Sequence, residues 1–299
     1  MTNIIIPMLK VSVGIAAYNE ERNIRRCIDA VLGQDMGENE LLEVIVVSSG
    51  STDGTDDLVR SMMDEDPRIK LFTQEKREGK ASASNLYMSE ADGDILVQVN
   101  ADAVLAPDAL RHLMEPFQLD KVGAVAGRLV PVNDDRDFFG FAVNLVYYLH
   151  HAVSSVTPKM CELNAFRNLR MAMPESTNTD EDWLAKEVMR RGYVLAYAPK
   201  AINNIKGPSN LRDFLHQRIR INIGENYMKK NYDYVPPTKE NDLVFNSFLD
   251  FIRDERPDPF RLIGAVSLEA MSRGYARAYT TIGLKDHNVW KVIESTREH

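Results

Sequence analysis

The sequence predicts an α/β fold: a mostly parallel sheet flanked by helices on both faces, with a C-terminal helical extension. Three observations predict it. Short apolar runs alternate with helically spaced apolar residues through the first half of the chain. Several of those runs end in a polar turn. Beyond residue 138 the strand signal gives way to long stretches of helical spacing.

Val11–Ala16 (VSVGIA) reads as a buried strand, and Glu20–Leu32 follows as a helix through Ile24, Cys27, Ile28 and Val31. Glu43–Val47 (EVIVV) is a second strand closed by SSGSTDGT, and Asp53–Met63 is a helix with Thr52 or Asp53 as its N-cap. Ile69–Thr73 is a third strand and Ala81–Ala91 a helix. Asp94–Val99 (DILVQV) is a fourth strand ending at Asn100. Pro107–Phe117 is a helix with proline near its first turn, and Val122–Ala126 is another strand. A helical stretch then runs from 138 to Val156, and an irregular region reaches Arg170. An acidic turn at 177–182 leads into a helix ending near Arg191, followed by a short strand at Val194–Tyr197. Asn210–Lys230 is a helix opened by Ser209 or Asn210, and Tyr232–Asn241, with Pro236–Pro237, is a linker. The remainder is helical and then extended. The expected organisation is a catalytic unit over 1–235 and a C-terminal segment over 236–299 that serves as a lid or a membrane-surface element.

The formal net charge of −8 argues against nucleic acid as the main partner, since neutralising phosphates needs an excess of Lys and Arg. Cys27 and Cys161 have neither disulfide-framework nor zinc spacing, so a reducing, cytoplasmic compartment is expected. MTNIIIPMLK has no basic region or cleavage site of the signal-peptide kind. No apolar run reaches the about 20 residues that span a bilayer. The nearest, 138–149 and 260–283, suit peripheral contact with the inner face of a membrane.

Ligands of such sheets collect at the carboxyl ends of the strands. Three polar segments stand there, Ala17–Glu20, Ser48–Asp53 and Asn100–Asp102. A dinucleotide site is excluded because AAYNEER, not GxGxxG, follows the first strand, and no GxxxxGK[ST] loop is present. His150 and His151 have no third ligand at metal spacing and read as structural or acceptor-lining.

VSVGIAAYNEERNI, VIVVSSGSTDGT, REGKASASN, GDILVQVNADA, TDEDW, RRGYVLAYAPKA and QRIRI occur in the order seen in inverting family 2 glycosyltransferases. The chain resembles that family over roughly residues 10–225. The last two motifs are similar to the catalytic modules of polysaccharide synthases, which carry TED and QxxRW. The tail HNVWKVIESTR, with Trp290, Ser295, Thr296 and Arg297, resembles the loop those synthases fold over their site.

The resemblance implies a GT-A, Rossmann-like fold and a metal-dependent hexosyltransferase. Its donor would be a nucleotide-diphosphate sugar, UDP- or GDP-linked, and its acceptor a glycan or a lipid-linked hydroxyl. Ala17, Tyr18, Asn19 and Glu20 would wrap the base and ribose, although Asn19 and Glu20 also suit a plain helix start. Ser48 and Ser49 stand where the family usually has a carboxylate for the base, which leaves the base open. Asp53 suits both the nucleotide pocket and a helix cap. Lys80, beside Arg77, Gly79 and Asn85, would supply charge to the diphosphate. Asn100, Ala101 and Asp102 occupy the DxD position, with Asp102 as ligand of Mg2+ or Mn2+ and Asn100 replacing the first carboxylate. The general base would be Asp182 or Glu181, with Asp182 taken first: the motif letters favour Asp182, the spacing to Gly192 favours Glu181, and the helix dipole would lower the pKa of either. Gln217, Arg218 and Arg220 would hold the acceptor-side ring and the diphosphate, with Ile221 in place of the tryptophan.

Two rival readings are a sugar-nucleotide nucleotidyltransferase, for which AAYNEER lacks the glycine-rich basic loop, and a non-catalytic sugar- or membrane-binding homologue. Ser48, Ser49 and Asn100 are the residues that would favour the latter.

Overall fold

The computed structural model describes residues 8–175, 177, 179–282 and 296. Its first half repeats strand and helix: β1 (Lys10–Ala17), α1 (Ile24–Leu32), β2 (Glu40–Ser49), α2 (Thr55–Glu65), β3 (Ile69–Gln74), α3 (Lys80–Glu90) and β4 (Ile95–Asn100). There follow β5 (Val104–Leu105), α4 (Ala109–Met114), a 3-10 turn at Glu115–Gln118, and β6 (Val122–Pro131). The second half holds α5 (Phe138–Val156), β7 (Asn164–Arg167), α6 (Asp180–Arg190), β8 (Val194–Ile205), α7 (Leu211–Tyr232), a 3-10 turn at Pro237–Lys239, α8 (Asn241–Glu255) and α9 (Pro259–Ile282).

The strands form one sheet in the order β3-β2-β1-β4-β7-β6-β8-β5. The pairs β3–β2, β2–β1, β1–β4 and β6–β8 are parallel; β4–β7, β6–β7 and β5–β8 are antiparallel. The register brings the three polar segments together, with Ala17 opposite Ser48 and Ala16 opposite Asn100. Chain order turns back beside β1, which opens a crevice at that edge.

Burial explains the elements. Val11, Val13, Ile15 and the run Val44–Val47 are fully covered, as a strand with helices on both faces requires. In α1 the buried residues Ile24, Cys27, Ile28 and Val31 recur with helical period. Gly14 sits under the Tyr87 ring, where an added Cβ would lie 2.4 Å from Cδ1. The Tyr87 hydroxyl lies 2.6 Å from the Ser12 carbonyl and 3.0 Å from that of Val97, which fastens α3 to the sheet below the crevice.

A second apolar cluster joins the C-terminal helices. Phe141, Val143 and Leu145 of α5 meet Phe214 of α7, Phe251 of α8 and Ala265 of α9. Asp137 caps α5, accepting from the N–H groups of Phe139 at 2.9 Å and Gly140 at 3.1 Å. Asn210 caps α7, accepting from the Asp213 N–H at 3.0 Å.

Several details differ from expectation. The region before Arg170 contains β7, a four-residue strand with no apolar run of its own, and β8 runs eight residues past Tyr197, to Ile205. Residues 241–255 and 259–282 are helical as expected, whereas the part of the tail expected to be extended lies, apart from Thr296, outside the described residues. Among the described residues no helix is long and apolar enough to cross a membrane.

Candidate active site

The crevice beside β1 deepens into a cavity of about 480 Å³. One end is the strand edge, the middle is the start of α6, and the far end lies between α5, α7 and α9. Of the residues expected from sequence, Ala17, Tyr18, Glu20, Ser49, Lys80, Asn100, Ala101, Asp102, Glu181, Asp182, Gln217, Arg218 and Arg220 line it. Asn19 and Asp53 do not.

At the strand edge, backbone and side chains interlock. Asn19 has φ +53°, and its amide oxygen accepts from the Thr52 N–H at 2.8 Å. Asp53 accepts from the Thr55 hydroxyl at 2.5 Å and N–H at 3.1 Å, and from the Glu21 N–H at 3.2 Å. Both residues thus join the turn after β1 to the turn after β2, and shape the pocket from behind. Ser48 donates to the Ser51 hydroxyl at 2.8 Å, while Ser49 accepts from the Glu78 N–H at 3.1 Å. The Arg77 guanidinium lies 4.2 Å from the Tyr18 ring centre, which gives this end a flat cationic wall.

Asn100 ends β4 and Asp102 follows it onto the cavity wall. Glu162 lines the same wall, near enough that the Asp102 charge is the main electrostatic influence on it. Among the described residues no three His, Cys, Asp or Glu side chains cluster to hold a metal on their own. The donors present are hard oxygens in a negative local field. That fits Mg2+ or Mn2+, which complete their coordination with substrate phosphates and water. Burial, with the Asp102 charge, pushes the Glu162 carboxyl up to about 7.

The start of α6 carries three carboxyls. Lys80, at the start of α3, reaches Glu181 at 2.8 Å and Asp180 at 3.0 Å. Burial acts against the Lys80 charge, but the two carboxylates outweigh it and hold the ammonium firmly protonated. Burial and the neighbouring Glu181 charge push Asp180 up to about 7. Glu181 also feels burial, yet Lys80 and a hydrogen bond with Asp180 hold it well below the usual carboxylate range. Asp182 forms a buried ion pair with Lys159 at 2.5 Å, and burial, helped by Glu225, still pushes it up to about 6. The expected direction, a lowered carboxyl, is found at Glu181, where Lys80 and Asp180 produce it; at Asp182 desolvation reverses it. The side chain of Glu181 keeps 16% exposure, against 1% for Asp182.

At the far end, Arg218 is held by Glu269, Nε to Oε2 at 2.8 Å and Nη2 to Oε1 at 3.0 Å. Arg273 bonds the same carboxylate at 2.7 Å. Arg218 thus fastens α7 to α9 while lining the cavity together with Gln217 and Arg220. Burial and the charges of Lys159 and Arg218 push His150 down to about 3, so it is neutral. His151 bonds the Tyr197 hydroxyl at 2.7 Å. Thr296 lines the cavity; Trp290, Ser295 and Arg297 lie outside the described residues.

Sequence reasoning missed Lys159, Glu162, Glu225 and Glu269. The first two sit in the aperiodic stretch TPKMCELN, where the one available signal was charge amid apolar neighbours.

Comparisons with known proteins bear on the family and the fold. A family model described as glycosyl transferase family 2 matches residues 12–174, more than half of the chain. The chondroitin synthase of Pasteurella multocida (strain Pm70) is 36% identical over 111 residues, 37% of this chain and 11% of that protein. An N-acetylglucosaminyltransferase of Mesorhizobium japonicum is 25% identical over 238 residues, 72% of this chain and 55% of that protein. The chain therefore spans about a tenth of the first relative and about half of the second. Among solved structures, the mannosyltransferase PcManGT from Pyrobaculum calidifontis, in complex with GDP-Man and Mn2+, superposes with a TM-score of 0.61 at 26% identity, covering 93% of this chain and 80% of that one. GalNAc-T7, solved with UDP, GalNAc and Mn2+, has a TM-score of 0.53 at 13% identity and covers 83% of this chain and 57% of that one.

Proposed function

Because the chain belongs to glycosyl transferase family 2 and is a glycosyltransferase of GT-A fold, we propose that it moves a hexosyl group from a UDP- or GDP-sugar to an acceptor hydroxyl, with inversion at the anomeric carbon. The observation that carries this reading is one cavity in which Asn100, Asp102 and Lys80 at the strand edge face the carboxylates that open α6. The mannosyltransferase neighbour binds GDP-Man with Mn2+, which supports a nucleotide sugar and a divalent ion for this chain.

Asp102, with the amide oxygen of Asn100, would hold Mg2+ or Mn2+. That ion, when bound, offsets the charge developing on the departing diphosphate. Lys80 adds a second positive charge for the leaving oxygens. Tyr18, Glu20 and Ser49 line the end that takes the base and ribose. The base is a carboxylate at the start of α6. Glu181 and Asp182 each pair with a lysine, and Glu181 is favoured because its side chain keeps more exposure to the cavity. The acceptor hydroxyl gives its proton to that carboxylate as its oxygen bonds to C1 and the nucleoside diphosphate departs from the opposite side.

The acceptor enters between α5 and α7, past Gln217 and Arg220. A glycan suits this polar end, and the exposed Phe260 and Ile263 of α9 suit a lipid-linked acceptor presented at a membrane surface.

The test is incubation with a panel of UDP- and GDP-sugars and Mn2+, following nucleoside diphosphate release and the anomeric configuration of the product by NMR. Release that needs the metal and gives an inverted product is expected. Failure of every nucleotide and nucleotide sugar to bind would instead favour a non-catalytic homologue.

A further inference from the structure

The carboxylates of the cavity are nearly all engaged. Glu181 shares Lys80 with Asp180, Asp182 holds Lys159, Glu225 holds Lys239, and Glu269 holds Arg218. Glu20 accepts from the Asn23 amide. Asp102 and Glu162 are the exceptions among the described residues. Asp102 has its role in the metal reading above. Glu162 has none, although it lines the cavity and makes no hydrogen bond or ion pair with a described residue.

Its surroundings locate it. The charges that act on Glu162 are those of Asp102, Lys80, Glu181 and Arg220. Two of these belong to the diphosphate side of the proposed reaction, and the others to the side where the acceptor arrives. An inverting displacement puts the leaving and attacking oxygens on opposite faces of the anomeric carbon, so the sugar ring lies between those two sides. When ionised, a carboxyl in that space is an acceptor-only group with two oxygens, and a sugar ring presents neighbouring hydroxyl donors.

We propose that Glu162 is a specificity-determining residue that accepts hydrogen bonds from adjacent hydroxyls of the transferred sugar. The inference rests on the nucleotide-sugar reading above. It explains why a carboxylate is held in the cavity with no hydrogen-bond or ion-pair partner among the described residues: its partners arrive with the donor. It also separates two duties, the strand edge binding the nucleotide and the segment before β7 choosing the sugar.

The experiment is isothermal titration, with Mn2+ throughout, of wild type, Glu162→Ala and Glu162→Gln against UDP, GDP, UDP-glucose, UDP-N-acetylglucosamine and GDP-mannose, followed by deoxy analogues of whichever sugar binds. Glu162→Ala should bind the free diphosphate within about two-fold of wild type and the matching nucleotide sugar about ten- to a hundred-fold more weakly, as expected for loss of charge-assisted hydrogen bonds. One deoxy analogue should bind wild type weakly yet bind Glu162→Ala no worse than the parent sugar does. Equal nucleotide-sugar affinity in wild type and Glu162→Ala would overturn the proposal. So would an equal loss for diphosphate and nucleotide sugar, which would make Glu162 a ligand of the metal or diphosphate. If wild type binds neither diphosphates nor nucleotide sugars, the reading of the whole site fails and this inference falls with it. Ligand-free melting curves report folding, and if Glu162→Ala does not fold, Glu162→Gln, which keeps the side-chain volume, carries the same comparison.

Discussion

Lys80 and Glu181 meet at 2.8 Å across 101 residues of sequence. The contact joins the first turn of α3 to the first turn of α6, and so joins the diphosphate side of the cavity to the candidate base. Lys80→Met removes the cation common to Asp180 and Glu181. Transfer should fall by about a hundred-fold in kcat/KM, the scale of a lost charge-assisted contact in the transition state. The Glu181 carboxyl should also titrate higher, which would move the acidic limb of the pH–rate profile upward. Initial rates between pH 3 and 9 check both.

Asp102→Asn keeps the shape of the side chain and removes its charge. Metal-dependent transfer should drop by about 10²–10³-fold, the effect of removing one preorganised electrostatic group. Mn2+ titration in the presence of a nucleoside diphosphate should show weaker metal binding. Full activity in this variant, or in EDTA, would refute the metal assignment.

The Arg218–Glu269 pair makes a prediction about stability. Glu269→Gln strands Arg218, a largely buried cation, and should cost about 3–5 kcal/mol. Burial alone would raise the Glu269 carboxyl, but Arg218 and Arg273 hold it down to about 2, so the carboxylate form is the stabilising one. The double variant Arg218→Met, Glu269→Met should recover much of the loss, because no charge is then left buried alone. Urea unfolding of the three chains measures this.

His150 gives the fold a defined sensitivity to acid. Its folded value is about 3 against an ordinary 6.5. Above pH 6.5 it is neutral in both states and contributes nothing. Below that, the unfolded chain takes up a proton that the folded chain refuses, so stability falls as pH falls towards 3, by up to about 1.4 kcal/mol per pH unit. His150→Gln should flatten this part of the curve, read as a smaller drop in melting temperature from pH 7 to pH 5 than in wild type.

The parallel half of the sheet was legible in sequence because each of its strands is a buried apolar run followed by a helix with its own period. β7 was not, since NAFR owes its place to antiparallel neighbours β4 and β6 rather than to its own pattern. β8 was read short because PKAINN is polar, though the Ala201 and Asn203 within it are buried. The strand-edge residues were legible because they follow those strands directly. Asp53 and Arg218 show what sequence leaves unseen: Asp53 ties the turn after β1 to the turn after β2, and Arg218, which lines the cavity, is also clamped to Glu269 of α9. Glu162 and Lys159 were illegible because the charges that act on them, Asp102 and Lys80 on one and Asp182 and Glu225 on the other, are distant in sequence.

The clamp between Arg218 and Glu269 has a bearing on evolution and on engineering. Acceptor choice in such a transferase would be altered most simply by exchanging the C-terminal helices between relatives. Here α9 supplies the counter-charge for a residue of α7, and α8 and α9 supply apolar partners for α5 and α7. A graft beginning at residue 236 would bring in helices whose partners stayed behind with the recipient. The packing and the ion pair make α5 and α7–α9 the set of helices to exchange together, and chimeras that keep that set intact should retain the fold while those cut at the linker lose it.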